Sequence, residues 1–288
     1  MSGYKYLFGP VPSRRLGASL GVSPIPERTC NYSCVYCQLG RTLRMTNTRQ
    51  EFFPLEEILA EFREYLQGSI PFDVVTVVGE GEPTLYSRLG ELIAGLKKET
   101  DKPVAVNGAL LYDAEMRREL MEADIVLPSL DAVTEEQYRK IDRPMGSIGF
   151  AEMAEGLRQF AREYQGQLWI EIMLVDGMND SPEDIAAFKE FLGTIDYDRV
   201  YLNTLVRPPA EGFVHTSAPE RIDLAARELG GISIDQLTSG SFFSEVEDPY
   251  EAILSIARRH PMNQFEVESF LEAREIPADQ RQALMERL

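Results

Sequence analysis

The sequence predicts an α/β fold: a partial, TIM-like (β/α)6 barrel of parallel strands with a small, mainly helical C-terminal appendage. Three features predict it. Short β-rich runs alternate with helical patterns over most of the chain, as in successive strand–helix–strand units. Those runs, such as VVTVV at 74–78 and IEIMLV at 170–175, lack a clean two-residue alternation, as strands covered on both faces do. Beyond Pro208-Pro209 the extended runs nearly stop and short helical patterns take over. At 288 residues the chain is long enough for one large α/β domain, expected at 1–210, and a smaller region at 211–288.

In chain order, strands are expected at 19–25, 74–80, 104–108, 125–130, 168–176 and 199–205. Helices are expected at 54–67, 86–99, 113–122, 134–141, 147–164 and 181–193. Pro54 marks a first turn, with Glu56 and Glu57 behind it. Ser181-Pro182-Glu183-Asp184 supplies an N-cap, a first-turn proline and two acids facing the helix dipole. Parallel strands joined by right-handed crossovers place reactive groups at the strand C-terminal ends. The segment TCNYSCVYCQ at 29–38 follows the first strand and therefore falls at that end. In 211–288, helices are expected at about 219–229, 249–259, 263–275 and 277–288, with an extended piece at 231–237. The region reads as helical or winged-helix-like. Its fifteen acids against seven basic residues make it a poor DNA binder, so a lid or a docking module for a protein partner is expected.

The net charge of −18 is unevenly spread. Residues 1–50 hold seven basic residues (Lys5, Arg14, Arg15, Arg28, Arg41, Arg44, Arg49) against the single acid Glu27, so the rest of the chain carries −24. This can be a chance grouping of solvated charges or a basic mouth around 29–38 that attracts an anion. The N-terminal MSGYKYLFGPVPSRR lacks the charged-then-apolar order of a signal peptide. No apolar run reaches the roughly 18 residues a bilayer crossing needs. A cytoplasmic location and no membrane contact are expected.

All three cysteines, Cys30, Cys34 and Cys37, lie within eight residues. An odd number in a reducing compartment argues for free, metal-bound or catalytic thiols rather than disulfides. Four readings compete. Zinc needs four ligands, and the chain has only two histidines, the nearer being His215. A nucleophilic cysteine wants a histidine base and gains nothing from two crowded neighbours. Structural cysteines rarely come as a tight trio. An iron–sulfur cluster takes four thiolates when fully ligated, so three would leave one iron open, as catalytic metal sites are.

The CxxxCxxC spacing, with Tyr36 just before the last cysteine, resembles the signature of the radical S-adenosylmethionine (SAM) superfamily. Further matches fall at strand ends in order: Gly79-Glu80-Gly81-Glu82-Pro83, Asn107-Gly108, Pro128-Ser129-Leu130-Asp131, and Val175-Asp176-Gly177-Met178-Asn179. The resemblance implies a 4Fe-4S cluster held by Cys30, Cys34 and Cys37. It also implies SAM bound near Tyr36, Gly81, Glu82, Asn107, Ser129, Asp131 and Arg143, the last as a carboxylate contact. In that family, SAM is cleaved reductively to a 5′-deoxyadenosyl radical, which abstracts hydrogen from the substrate. The segments GPVPSRRLGASLGV, GEGEPTL, SLDA with IDRP, DGMNDS and LNTLVRPP resemble the subgroup related to the wyosine-forming enzymes, which modify a tRNA guanine. Those enzymes carry further cysteines for a second cluster that this chain lacks.

Arg14, Arg15, Arg143 and Arg207 stand near these strand ends and can clamp a phosphate or carboxylate or pair with the many acids. The expected substrate is an anionic small molecule or a tRNA base, with flavodoxin or ferredoxin as electron donor. A second reading is an activase or maturation factor that acts on a protein through 211–288. A third is a zinc-stapled binding module.

Overall fold

A computed structural model describes residues 4–68, 70–108, 110–146, 148–234, 246, 248–257, 262, 264–285 and 287–288. Its centre is an eight-stranded sheet. Strand β1 (Leu7–Ser13) runs antiparallel to β2 (Gly17–Val22). A short parallel ladder follows, β3 (Thr29–Cys30) against β4 (Arg44–Met45). The barrel strands are β5 (Val74–Val77), β6 (Val104–Asn107), β7 (Ile125–Leu127), β8 (Gln167–Met173), β9 (Arg199–Asn203) and β10 (Ile232–Ser233). From β2 onward every neighbour in the order β2-β5-β6-β7-β8-β9-β10 is parallel. The fold is thus the mostly parallel, half-barrel α/β architecture expected, and the sheet continues past residue 210 through β10.

Among the described residues, seven helices accompany the sheet: α1 (Leu55–Tyr65), α2 (Leu89–Glu99), α3 (Ala114–Leu120), α4 (Glu135–Ile141), α5 (Phe150–Glu163), α6 (Pro182–Leu192) and α7 (Pro219–Leu229). Their starts follow local chemistry. Asp113 caps α3, Thr134 caps α4, and Ser181 with Asp184 closes a reciprocal capping box on α6. The helix expected from 86 begins at Leu89, after a 3-10 turn at Pro83–Leu85.

The apparent lack of alternation in the strands resolves into two apolar faces. Leu20, Val22, Val75, Val77, Val106, Val126, Ile170, Ile172 and Leu202 belong to the large core beneath the helices. Val74, Ala105, Ile125, Leu127, Trp169 and Tyr201 form a separate cluster. In the two-residue strand period, that inner set gives way toward the strand C-terminal ends to Thr76, Asn107, Ser129 and Asn203. The barrel therefore has an apolar plug at one end and a polar cup at the other.

Past the barrel come α8 (Pro249–Ala257), α9 (Gln264–Ala273) and α10 (Ala278–Met285), confirming a helical C-terminal region. Ala252, Ile253, Ile256, Val267, Phe270 and Leu271 pack on Phe8 and Val11 of β1. They cover an edge strand that would otherwise invite pairing. Of the extended piece expected at 231–237, residues 232–233 form β10, and 235–237 lie outside the described residues. No helix among the described residues is long and apolar enough to cross a membrane.

Candidate metal-cluster and cofactor site

The cysteine loop is held from three sides by backbone hydrogen bonds. The Thr46 N–H donates to Cys30 O at 3.1 Å, which ties the first cysteine to β4. The Glu82 N–H donates to Thr29 O at 3.0 Å, which ties it to the segment after β5. The Val35 N–H donates to Ile141 O at 2.9 Å, and the Met145 N–H donates to Asn31 O at 2.8 Å, anchoring the loop to the end of α4. Gly81 is required by this packing, since a Cβ there would overlap the Thr29 carbonyl oxygen.

Cys30, Cys34 and Cys37 are all half-buried free thiols. Cys30 Sγ accepts from the Tyr32 N–H at 3.3 Å, and Cys34 Sγ donates to Asp142 Oδ1 at 3.8 Å. Burial pushes all three thiols up, and nearby carboxylates, Glu82 for Cys30 and Asp142 for Cys34, push further. Three thiolates here thus call for cationic metal between them. Among the described residues no group of three or more His, Cys, Asp or Glu side chains is arranged to hold a metal ion. Thiolates that each take a different corner of a cluster need not converge as ligands of one ion do. The donor set fits a cluster.

Two cavities meet behind the loop. The larger, about 370 Å³, is lined by Cys37, Tyr36, Asn107, Ser129, Asp131 and Glu171 among others. The smaller, about 120 Å³, takes in Cys30, Cys34, Glu82 and Asp142. Tyr36, Ser129 and Asp131 belong to both walls. Asp131 is the hub of that shared wall. The Tyr36 hydroxyl donates to one of its oxygens, and the Met173 N–H donates to the other at 2.6 Å. Burial raises Asp131 to about 6, against the pull of the Met173 N–H. Fully buried Asn179 donates to both Asp131 O and Met173 O at 2.8 Å, fastening the ends of β7 and β8 together.

Of the residues singled out in the sequence, the structure therefore brings Tyr36, Glu82, Asn107, Ser129 and Asp131 to the cavity walls with the cysteines. Gly81 packs under the cysteine strand instead. Arg143 lines neither cavity, and its Nη1 donates to Glu211 Oε1 at 2.6 Å. Arg41 grips the same carboxylate with two bonds, at 3.0 and 2.8 Å. These two guanidiniums, Arg41 first, hold Glu211 below the usual carboxylate range. Arg14, Arg15 and Arg207 line the larger cavity. Arg207 also meets Gln38 at 3.0 Å and Glu266 of α9 at 3.5 Å.

Three residues escaped the sequence reading: Glu171, Asn203 and Glu211. Glu171 pairs with Arg15, whose guanidinium burial pulls down to about 10. Asn203 Nδ2 donates to Glu171 Oε2 at 3.2 Å, and among the described residues its buried Oδ1 has no hydrogen-bond partner. One signal was available: Glu171 is the sole charge in the apolar run LWIEIMLV. Asn203 lies in the LNTLVRPP segment, whose resemblance does not single it out, and Glu211 gave none.

Residues 25–189, more than half of the chain, match the family described as the Radical SAM superfamily. The chain belongs to that superfamily. It is a radical SAM enzyme. It is 33% identical over 285 residues to the UPF0026 protein MJ1312 of Methanocaldococcus jannaschii, covering 94% of this chain and 88% of that protein. It is 42% identical over 205 residues to a Brachyspira hyodysenteriae protein named GTPase Obg, covering 70% of this chain but only 30% of that protein's length. This radical SAM enzyme contains no Gly-Lys-Ser/Thr phosphate-binding loop. Among solved structures, it resembles a radical SAM methyltransferase from Sphaerobacter thermophilus, with TM-score 0.58, 18% identity, and coverage of 76% and 67% of the two chains. It also resembles TYW1 with a lysine-pyruvate adduct bound, with TM-score 0.54, 20% identity, and coverage of 76% and 74%. At these identities the likeness is one of fold.

Proposed function

We propose that Cys30, Cys34 and Cys37 hold a 4Fe-4S cluster whose remaining iron takes SAM, and that the larger cavity takes the substrate. The observation that carries this is a trio of half-buried thiols, the only cysteines in the chain, opening onto two adjoining cavities at the strand C-terminal ends. When bound, such a cluster supplies the electron that splits SAM into methionine and a 5′-deoxyadenosyl radical, which takes hydrogen from the substrate.

The chain's own residues position and shield. Tyr36, Asn107, Ser129 and Asp131 offer SAM polar contacts along the shared wall. Glu82 stands beside Cys30 in the smaller cavity, and Gly81 keeps the cysteine strand seated on the segment after β5. Arg143, expected to meet the SAM carboxylate, has its Nη1 on Glu211. The substrate reading is a small polar molecule carrying an anionic group. Arg14, Arg15 and Arg207 would meet that group, while Glu171 and the Asn203 Oδ1 would accept from its donors. A cavity of about 370 Å³ lies within the usual span for small-molecule sites. The ordered motifs and the TYW1-like fold support kinship with the wyosine-related subgroup, with a single cluster in place of two. The boundary expected at 210 falls short of β10, so we place the barrel at about 1–233 and the helical region from 249 onward, and the enzyme in the cytoplasm.

Anaerobic reconstitution with iron and sulfide should give about four irons per chain, and dithionite with SAM should release 5′-deoxyadenosine. Uptake of a single zinc with intact SAM would refute the reading.

A further inference from the structure

Between Arg28 and Gln50 the chain carries four arginines and no acid, within a protein of net charge −18. The structure sorts these arginines, and Arg28 pairs with the adjoining Glu27 at 3.2 Å. Arg49 pairs with Glu115 and Glu119, and Arg41 turns to Glu211. Arg44 remains exposed, its guanidinium over the Phe52 ring at 5.6 Å. On either side stand two large apolar side chains open to solvent, Leu43 at 67% and Met45 at 37% exposure. Residues this apolar on an otherwise charged surface mark contact sites more often than isolated accidents when they adjoin one another.

Their place in the fold gives the ridge its meaning. Leu43 and Arg44 donate backbone hydrogen bonds to Arg28 O at 3.0 and 3.1 Å. Met45 is the register partner of Cys30 in the β3–β4 ladder. The backbone of this ridge is thus one strand spacing, about 4.8 Å, from the backbone of a proposed cluster ligand. None of Leu43, Arg44 and Met45 lines either cavity, so a protein seated there leaves the substrate opening clear.

We propose that Leu43, Arg44 and Met45 form the docking face for a small acidic one-electron carrier of the flavodoxin type. This rests on the cluster reading above, which requires an electron from outside the chain. One electron leaves the carrier's reduced flavin, which passes from its two-electron-reduced to its one-electron-reduced form. That electron enters the cluster, and no atom changes hands. Arg44, the arginine of that stretch with no carboxylate partner among the described residues, steers an acidic partner, and the two apolar side chains give a small dry contact of the kind short-lived electron-transfer encounters use.

The test uses the full-length, reconstituted protein and flavodoxin reduced beforehand, mixed anaerobically while cluster bleaching is followed. Flavodoxin affinity is measured separately by calorimetry on the oxidised proteins. Arg44→Glu and Leu43→Glu should each slow flavodoxin-driven reduction about tenfold at low salt and weaken calorimetric binding. Iron content and dithionite-driven reduction should match the unaltered protein, and Arg44→Lys should keep the rate. Arg63→Glu on α1 makes the same charge change elsewhere and should slow reduction less than twofold. Unchanged rates in both ridge variants, an equal loss in Arg63→Glu, or failure of flavodoxin to reduce a cluster that dithionite reduces would each overturn the docking face. Failure of dithionite itself would instead sink the cluster reading.

Discussion

Replacing Gly81 by alanine should dislodge the cysteine strand. An ideal Cβ at this position would overlap Thr29 O, and it would lie 2.6 Å from Ile25 Cγ2 and 2.9 Å from Thr29 C. Contacts under 3.0 Å do not occur for real Cβ atoms, and here two of the three obstacles are backbone, which cannot swing aside like a side-chain tip. Thr29 must therefore retreat by on the order of 1 Å, straining the 3.0 Å bond from the Glu82 N–H and the ladder that fixes Cys30. The lost bond is worth about 1 kcal/mol and the overpacking about 2 kcal/mol. The sum, about 3 kcal/mol, corresponds to roughly 1 M in urea midpoint for a slope near 3 kcal/mol/M. Urea denaturation of the metal-free chain measures it, and iron retained after reconstitution reports on the loop. Gly212, where a Cβ meets nothing within 4 Å, is the control and should change stability by less than about 0.5 kcal/mol when made alanine. Equal stability and iron content in both variants would show that the Gly81 contact does not position the cysteines.

Three further outcomes follow from the same contacts. Glu171→Leu should cost about 3 to 5 kcal/mol by stranding Arg15, whereas the double change with Arg15→Met should recover most of that, since apolar pairs replace buried ion pairs well; a denaturation double-mutant cycle measures the coupling. Glu211 is held below the usual range by Arg41 and Arg143, so it adds stability that is present above the ordinary glutamate pKa and lost as pH falls through its lowered value. Thermal unfolding should therefore decline more steeply in acid for the unaltered chain than for Glu211→Gln. Phe270→Ala should cost about 3 to 4 kcal/mol and expose β1 to limited proteolysis, because Phe270 is fully buried against the edge strand.

The parallel strands were legible because burial on both faces writes itself as unbroken apolar runs. β1 was not, since LFGPVPS carries two prolines and reads as a loop. It is a strand because it lies at an edge and helices from the far end of the chain cover it. The three cysteines needed no fold to be noticed, and the strand-end residues Asn107, Ser129 and Asp131 followed from their placement after apolar runs. The Arg41–Glu211–Arg143 link joins residues 170 and 68 positions apart and leaves no local trace. Arg143 was legible as a residue of interest but not in its partner, because only the folded loop brings Glu211 under both guanidiniums.

The distribution of charge is what most changes between sequence and structure. The seven basic residues of the first fifty suggested one basic mouth. In the fold they part. Arg14 and Arg15 join Arg207 at the larger cavity, but Asp131, Glu171 and Glu266 line it too, so the walls carry both signs in equal number. Such a cavity suits a molecule that is itself of both signs, or one anionic group set among donors, better than a polyanion. Arg49 is spent on holding Glu115 and Glu119. Among the described residues, Arg44 is the arginine of 28–49 with no carboxylate partner, and it stands with its two apolar neighbours on residues that line neither cavity. Separating the two faces has a physical use. A site that makes a radical gains from excluding water and stray reductants on the substrate side, and it can do so only if electrons arrive through another face. The β3–β4 ladder, which carries Cys30 on one strand and Met45 on the other, is where this chain makes that second face thin.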